Sequence, residues 1–295
     1  MSLTREIIKE RQEMSLDEKI DLSLNRIKEW YESWDGQIYI SFSGGKDSTV
    51  LLDLTRYLYP EVPAVFIDTG LEYPEIREFV KKIDNVVWVK PDIPFPKVIK
   101  KFGFPVVSKE VSKQIYEARN TKSEKLRYKR MHGADNKFKS GKIPEKWKCL
   151  LEADFEVSDK CCDKLKKNPI KKYEKKTGNN PMIGTMGSDS IYRLQHLKRN
   201  SCNVFDTNRP ISKPMSYWST NDIWEYINKF DLDYSSIYDK GYGYTGCMFC
   251  MFGVHREQEP NKFQCMKKTH PKIWNYCINK LGVGEILDYI GVPYE

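Results

Sequence analysis

The chain has 295 residues, of which 40% are hydrophobic, and a formal net charge of +8. This length fits one large α/β domain with an appended segment, or two small domains. No apolar run approaches the roughly 20 residues of a membrane span, and no charged leader precedes an apolar stretch, so we expect a soluble, cytoplasmic protein that does not contact a membrane. Eight cysteines in such a protein favour thiol chemistry or metal ligation over a disulfide framework.

The first predicted element is an amphipathic helix. Ser15 and Glu18 have the spacing of a capping box, which marks a helix start. Hydrophobic residues then recur three or four positions apart, at Ile20, Leu24, Ile27, Tyr31 and Trp34. We therefore predict an N-terminal helical segment over residues 1–35 that packs this face against a sheet.

A strand, a tight turn and a helix follow in residues 38–54. A β-branched run ends at Phe42, small residues fill the turn, and the leucines after Val50 repeat as they do in a buried helix. Adjacent glycines allow positive φ and a close approach to a ligand, while a helix start offers unpaired N–H groups to an anion. The sequence therefore predicts a phosphate or pyrophosphate site at Ser43, Gly44, Gly45, Lys46, Asp47, Ser48 and Thr49.

This turn does not match the Walker A loop. Ile40 stands at the first glycine position of that motif, and Asp47 follows Lys46 where a hydroxyl is required. The remaining alternative to an anion site is a glycine-rich turn that binds no ligand.

Strands and helices continue to alternate beyond the turn. We predict strands over residues 62–67, 86–89 and 181–186, and helices from Pro74, over residues 108–119, over residues 188–197 and from Ser219 or Thr220. This alternation predicts an α/β domain over residues 36–230, with a doubly wound, mostly parallel, Rossmann-like sheet. The second strand ends in Asp68, Thr69 and Gly70, which places them at the carboxyl edge, where such sheets bind ligands.

Basic residues are concentrated in one part of the chain. Residues 121–180 contain 18 Lys and Arg against 9 Asp and Glu, so this segment accounts for the positive charge of the chain. We interpret residues 120–180 as a basic insertion. It is either a solvated lysine-rich surface or a surface for polyanions such as DNA, tRNA or nucleotides.

Four cysteines form a two-part pattern. Cys161 and Cys162 are adjacent, and 84 residues separate them from the Cys247-x-x-Cys250 pair in a C-terminal segment, residues 231–295. Zinc, a redox dithiol and half of a cluster site are all open for a lone C-x-x-C pair. Adjacent cysteines diverge too much to chelate one small ion comfortably, whereas a [4Fe–4S] cube offers each of them an iron corner. Cys277 shares a helix face with Ile273, which predicts a buried, structural thiol in a last helix near residues 270–281.

Several motifs together resemble the phosphoadenylyl-sulfate reductase family of the ATP-pyrophosphatase superfamily. Residues 43–48 resemble its Ser-Gly-Gly-x-Asp-Ser pyrophosphate loop, and the cysteine pattern resembles the cluster signature of its adenylyl-sulfate reductases. Residues 66–75 and 211–227 are similar to two further family motifs, and Gly184 and Arg193 match a third in spacing. The resemblance implies an adenine nucleotide (ATP, adenylyl sulfate or its 3′-phosphate) bound near Asp68, Thr69, Gly70, Gly184 and Arg193. It also implies Mg²⁺ held by Asp47 and a [4Fe–4S] cluster on Cys161, Cys162, Cys247 and Cys250.

The chain departs from the reductase pattern in two places. Met186 and Asp189 replace an arginine and a glutamate of the family motif, and residues 291–295 lack the C-terminal Glu-Cys-Gly segment that carries the nucleophile of reductases. Cys265, between two lysines, is the one rough substitute. The complete loop instead resembles that of members that cleave ATP.

Three functions follow from these resemblances. The first prediction is an enzyme that cleaves ATP to AMP and pyrophosphate, with Lys46 and Asp47 as catalytic residues, and adenylates a substrate, most plausibly a nucleic acid, for sulfur incorporation from a sulfur donor. The alternatives are a sulfonucleotide reductase that makes sulfite with a thiol electron donor, and a non-catalytic module that binds nucleotide and nucleic acid.

Overall fold

The computed structural model describes residues 4–134 and 140–295. The strands in chain order are β1 (Ile38–Ser41), β2 (Ala64–Ile67), β3 (Val86–Val89), β4 (Val106–Val107), β5 (Asn180–Ile183), β6 (Asn203–Val204), β7 (Ile211–Ser212) and β8 (Met251–Phe252). The α-helices are α1 (Arg5–Glu13), α2 (Leu16–Ser33), α3 (Lys46–Leu58), α4 (Pro74–Lys81), α5 (Phe95–Phe102), α6 (Lys109–Asn120), α7 (Glu124–His132), α8 (Lys160–Cys162), α9 (Asn168–Thr177), α10 (Ile191–Asn200), α11 (Thr220–Lys229), α12 (Lys262–Thr269), α13 (Pro271–Asn275) and α14 (Val283–Tyr289).

The described residues divide into two compact units, and each unit is built from three separate stretches of the chain. The first contains Met1–Asp68, Tyr73–Lys90 and Ile170–Thr245. The second contains Thr69–Glu72, Pro91–Pro169 and Gly246–Glu295.

A six-stranded sheet forms the centre of the first unit. Its strand order is β3-β2-β1-β5-β7-β6, and every pairing is parallel except that of β6 with β7. The chain moves outward from β1 in one direction through β2 and β3, and β5 then pairs on the other side of β1. In open sheets of this kind, the crevice where the order reverses is the usual ligand position. The predicted α/β class and mostly parallel sheet are confirmed.

Helix α2 begins at the predicted capping box, and its buried face is shifted from the predicted one. Ser15 and Glu18 make both hydrogen bonds of the box, and the buried side chains are Leu16, Lys19, Ser23, Ile27 and Trp30. Ile27 is buried as predicted, whereas the other four predicted residues are only partly buried. The ammonium of Lys19 lies 2.8 Å from an Asp222 carboxylate oxygen, and this ion pair explains why a lysine is buried on the helix. Hydrophobic periodicity cannot identify such a position.

The second unit contains more helix than the sequence predicted. Helix α5 begins inside the Pro91–Pro96 stretch, which we predicted only as a break. Helices α7 and α8 and a 3₁₀ helix, Glu145–Leu151, lie in residues 120–169, and most of α9 belongs to the first unit. The predicted basic insertion also includes residues 135–139, which lie outside the described residues. Near the C-terminus, the helix predicted near residues 270–281 is present as α13 and a π-helical turn (Tyr276–Lys280), but it is not the last helix, because α14 follows it.

Two helix starts differ in how well the sequence located them. Ser219, one of the two predicted caps, caps α11 and forms a capping box with Asp222. Ser188, the predicted cap of α10, was wrong. Its hydroxyl donates to the carbonyl of Trp218, and Ser190 caps α10 instead. No helix in the described ranges has the length and apolar character needed to cross a bilayer.

Candidate functional site

The glycine loop, residues 43–48, joins the end of β1 to the start of α3. Gly44 adopts φ = +70°, a left-handed conformation that other residues rarely accept, and a Cβ there would lie 2.7 Å from a Val80 methyl group. Gly45 is the N-cap of α3 and has an ordinary φ, but a Cβ there would lie 2.7 Å from the Thr245 hydroxyl oxygen. The first glycine is therefore required by conformation and the second by a close approach.

Serine hydroxyls hold the loop closed on itself. The backbone N–H of Ser43 donates to Oγ of Ser48 over 3.1 Å, and that hydroxyl donates to the carbonyl of Gly45 over 2.9 Å. Thr49 donates both its N–H and its hydroxyl to the same carbonyl. These contacts shape the loop without a ligand, and the start of α3 offers N–H groups that have no partner within the helix.

Lys46 and Asp47 form an ion pair at the start of α3. The Lys46 ammonium lies 2.5 Å from Oδ1 of Asp47. The lysine side chain is buried, whereas that of Asp47 is about one-third exposed. The carboxylate can therefore accept a hydrated cation from solvent, and the lysine is positioned by the aspartate.

Gly184 follows β5 and supports the loop from behind. A Cβ at this position would lie 2.8 Å from the backbone oxygen of Asp47 and 3.3 Å from the Cα of Ser48. Because backbone atoms cannot turn aside as a side chain can, any larger residue would displace the first turn of α3. The structure thus brings Gly184 to the loop, where its role is close packing.

The residues after β2 make local contacts. The carboxylate of Asp68, in the first unit, accepts a 2.9 Å hydrogen bond from Arg77. In the second unit, Thr69 donates its N–H and its hydroxyl to the Glu72 carboxylate, and Gly70 has φ = +76°. These contacts form a tight turn immediately after the strand.

Two residues that sequence reasoning missed lie against the loop. The hydroxyl of Tyr238 accepts a 2.9 Å hydrogen bond from the backbone N–H of Lys46. The Thr245 hydroxyl lies 3.4 Å from that of Tyr238. The region around them is recognisable in the sequence as rich in tyrosine and glycine, but no spacing rule connects it with residues some 190 positions earlier.

The four predicted cluster cysteines lie in the second unit and line one cavity. The other lining residues are Leu71, Phe95, Pro105, Leu165, Lys166 and Phe252. Cys161 and Cys162 are on α8, which continues into a π-helical turn, Asp163–Lys167, of a kind often found at functional sites. The Cys247–Cys250 turn is fixed by a 2.8 Å hydrogen bond from Met248 N to the Leu71 carbonyl. The structure therefore brings both parts of the sequence pattern to one place.

Burial and one lysine shift the pKa values of these thiols in opposite directions. Burial raises the pKa of Cys161, and the neighbouring cysteines raise it further. Burial also raises the pKa of Cys247, an effect opposed by Lys166. Burial alone would lower the pKa of Lys166, but the charges of Cys247 and Glu72 outweigh it and raise that pKa. A cation thus stands against the thiols in an otherwise apolar cavity.

The cysteine cavity does not have the form of a single-ion site. Within residues 4–134 and 140–295, no three His, Cys, Asp or Glu side chains are grouped so that they could bind one metal ion. A structural zinc ion requires ligands that converge on one point. A four-iron cube gives each thiolate its own iron, so its ligands stand around a larger volume. Four cysteine thiols around one apolar cavity are the donor set of such a cube, and the cluster itself stays a prediction.

The other cysteines are separate from this cavity. Cys277 is fully buried, as predicted. Cys202 is also buried, Cys149 is exposed, and Cys265 is partly exposed on α12, where its thiol donates to the Pro260 carbonyl over 3.5 Å.

Comparison with protein-family models decides the family. Residues 37–103 and 95–252 match the model of the phosphoadenosine phosphosulfate reductase domain, which includes the glycine loop and all four cavity cysteines. The chain belongs to the PAPS reductase family. The family resemblance in the sequence is confirmed.

Named relatives include reductases. The chain is 25% identical to the adenosine 5′-phosphosulfate reductase of Geobacillus kaustophilus, with 75% of each chain covered. It is also 25% and 24% identical to two uncharacterized proteins of Methanocaldococcus jannaschii, and it spans about half the length of these relatives, 52% and 43%. A crystal structure of the Candida auris phosphoadenylyl-sulfate reductase in complex with phosphate is similar at 18% identity and a TM-score of 0.45, covering 84% of this chain and 97% of that one.

Within the family domain, Arg193 follows a substituted motif. Its guanidinium pairs with Asp189, the residue that stands where the family pattern has glutamate, and its side chain is 47% exposed. The partner of Arg193 is thus a carboxylate, as a glutamate at this position would also be. Nearly half of the arginine side chain is accessible to an anion.

Some charges of the predicted basic insertion are paired with nearby acids. Arg130 pairs with Glu117, which precedes the insertion, Lys142 and Lys148 pair with Glu145, and Lys167 pairs with Asp163. These pairs involve four of the 18 basic residues, so both interpretations of the segment stay predictions.

Proposed function

We propose that this protein binds a sulfonucleotide, adenylyl sulfate or its 3′-phosphate, and reduces it to sulfite with electrons from a thiol donor. The observation that carries the proposal is the preformed glycine loop at the start of α3, within a PAPS reductase domain. The adenosine 5′-phosphosulfate reductases among its relatives align over about three-quarters of each chain, which supports the same substrate class.

The loop would bind the anionic part of the nucleotide. First-turn N–H groups and the helix dipole of α3 favour negative charge at this point, and the serine hydroxyls fix the shape of the loop. A thiolate then attacks the sulfur of the bound sulfonucleotide, so a sulfur–sulfur bond forms and AMP, or its 3′-phosphate, leaves with the electrons of the broken sulfur–oxygen bond. A second thiol displaces sulfite from this adduct and leaves a disulfide, which balances the two-electron reduction.

Cys161, Cys162, Cys247 and Cys250 would hold a [4Fe–4S] cluster, for which they supply four thiolates. Such a cluster brings a localised charge that changes the electrostatics of its surroundings. Lys166, buried against Cys247, would offset part of the negative charge of four thiolates in an apolar cavity.

We expect protein purified without oxygen to convert adenylyl sulfate or its 3′-phosphate to sulfite when dithiothreitol or thioredoxin is supplied. Sulfite and the matching nucleotide should appear in a 1:1 ratio, measured by a sulfite dye assay and by chromatography. Cys265→Ser tests whether Cys265 is the nucleophile. If it is, the variant should lose turnover. If the donor thiol attacks the sulfonucleotide directly, turnover should be unchanged. Absence of sulfite from both substrates would refute the reductase proposal.

A second candidate is ATP cleavage to AMP and pyrophosphate, which adenylates a substrate such as a nucleic acid for sulfur incorporation. The Lys46–Asp47 pair favours it, because a partly exposed carboxylate at the loop can hold Mg²⁺ against a departing pyrophosphate.

For this candidate we expect Asp47→Asn to lower ATP cleavage by about 100-fold or more, since loss of a metal-binding charge typically removes several kcal/mol of transition-state stabilisation. The measurement is release of AMP and pyrophosphate from ATP and Mg²⁺, with and without DNA or tRNA. Equal rates in Asp47→Asn and the unaltered protein would contradict a catalytic role for Asp47. If neither sulfite nor AMP forms in any of these assays, the remaining function would be that of a non-catalytic nucleotide-binding module.

A further inference from the structure

A tyrosine hydroxyl occupies the anion-binding end of α3. The hydroxyl oxygen of Tyr238 accepts the Lys46 N–H over 2.9 Å, and it would lie 3.2 Å from a Cβ on Gly45. A first-turn N–H of this kind is one of the groups that a phosphate or sulfate oxygen uses. One such group is therefore already engaged by the protein itself.

We propose that Tyr238 gates the glycine loop: its hydroxyl takes the place of an anion oxygen on the Lys46 N–H and swings away when the anionic group of the nucleotide binds. The inference rests on the proposed function, because it concerns the same anion. Tyr238 is thus a positioning residue that sets the affinity of the loop.

The exchange is favourable on chemical grounds. Burial raises the pKa of Tyr238, so the hydroxyl is protonated and neutral at physiological pH. A neutral oxygen is a weaker acceptor than an ionised one, and hydrogen bonds to charged oxygens are roughly twice as strong. The tyrosine therefore satisfies the buried N–H without ligand and yields it to an anion.

The contacts around Tyr238 hold its backbone in place. Lys240 pairs with Glu75, and the rings of Tyr242 and Tyr73 lie 4.8 Å apart, so the segment just after Tyr238 is attached to the start of α4. Ile237 is fully buried next to it. The exchange would therefore take place by rotation of the Tyr238 side chain away from its ring contacts, without movement of the segment.

Tyr238 also has a built-in reporter. Its ring lies edge-on to that of Trp224, with centroids 5.5 Å apart. Tyr234 packs on the same indole at 5.3 Å, but its hydroxyl donates to Asp239. The Tyr234 ring also lies 6.2 Å from that of Tyr238, but its hydroxyl bonds to Asp239 and not to the loop, so Tyr234→Phe removes a hydroxyl, keeps the ring contacts and serves as the matched control.

The test measures binding of inorganic pyrophosphate and of adenylyl sulfate to full-length protein by calorimetry. Tyr238→Phe should bind both about two- to tenfold more tightly, the factor that corresponds to one ordinary hydrogen bond. Tyr234→Phe should bind like the unaltered protein. Ligand should also change tryptophan fluorescence, and this change should disappear in Trp224→Phe while calorimetric binding persists.

Other outcomes separate the two proposals. Weaker binding by Tyr238→Phe would make the hydroxyl a direct ligand and overturn the gate. Unchanged affinity with no Trp224-dependent signal would also overturn it, and in both cases the proposed function stands. If the unaltered protein binds neither probe, the proposed function fails and the gate fails with it.

Discussion

Replacing Gly45 with valine should weaken binding of adenylyl sulfate and of pyrophosphate by about 100-fold or more, which corresponds to about 3 kcal/mol of lost binding free energy, because the side chain would obstruct the approach of the anion to the loop. A Cβ alone would lie 2.7 Å from the Thr245 hydroxyl and 3.2 Å from that of Tyr238. The two additional methyl groups would extend into the space in front of the α3 N-terminus, where an anion must sit. Calorimetric titration of both probes measures the loss.

Gly243→Ala is the matched control for this change. Gly243 has no heavy atom within 4 Å of its ideal Cβ position and no positive φ, so a methyl group there meets open space. The control should bind like the unaltered protein, and both variants should be folded by circular dichroism. Normal affinity in a folded Gly45→Val protein would show that the anion does not approach the loop from this side.

Replacing Cys161 or Cys250 with serine should remove the brown colour that we expect of protein purified without oxygen. Each residue lines the cavity shared by all four cysteines, and a cube that loses one thiolate loses the ligand of one iron. Iron and acid-labile sulfide should fall together with the visible absorbance, and these quantities are measured without reference to activity.

Cys149→Ser tests whether the loss is specific to the cavity. Cys149 belongs to the same basic segment but is exposed and absent from the cavity lining, so this variant should keep its iron. Retention of iron and colour by both Cys161→Ser and Cys250→Ser would refute the ligand assignment. One equivalent of zinc in place of iron would favour a single-ion centre.

Local rules predicted the regular part of the fold well. The strand Val86–Val89, the Ser15 capping box and the helix that begins at Pro74 depend on neighbouring residues alone, and all are present. Tertiary contacts overrode local rules elsewhere. Lys19 faces inward because Asp222 lies opposite it, and α5 begins inside a proline-rich stretch because Phe95, Val98 and Ile99 find a buried surface.

The candidate site was predictable where the chemistry is continuous in the chain. The glycine loop was recognisable because strand, turn and helix follow one another, and the cysteines because their residue type is unusual. Tyr238, Thr245 and Lys166 were not recognised, since each reaches its partner only through the folded chain. Tyrosine, threonine and lysine are common surface residues, and their type alone indicates no role.

Each compact unit draws on stretches far apart in the chain, and this arrangement has a consequence for biosynthesis. The cavity lining extends from Leu71 to Phe252, so its last wall leaves the ribosome only when most of the protein has been made. Domains that fold during translation do so as their residues emerge. Here neither compact unit can complete its core early. Ribosome-bound fragments that end before residue 180 lack the strand that pairs with β1, so we expect them to remain sensitive to proteases.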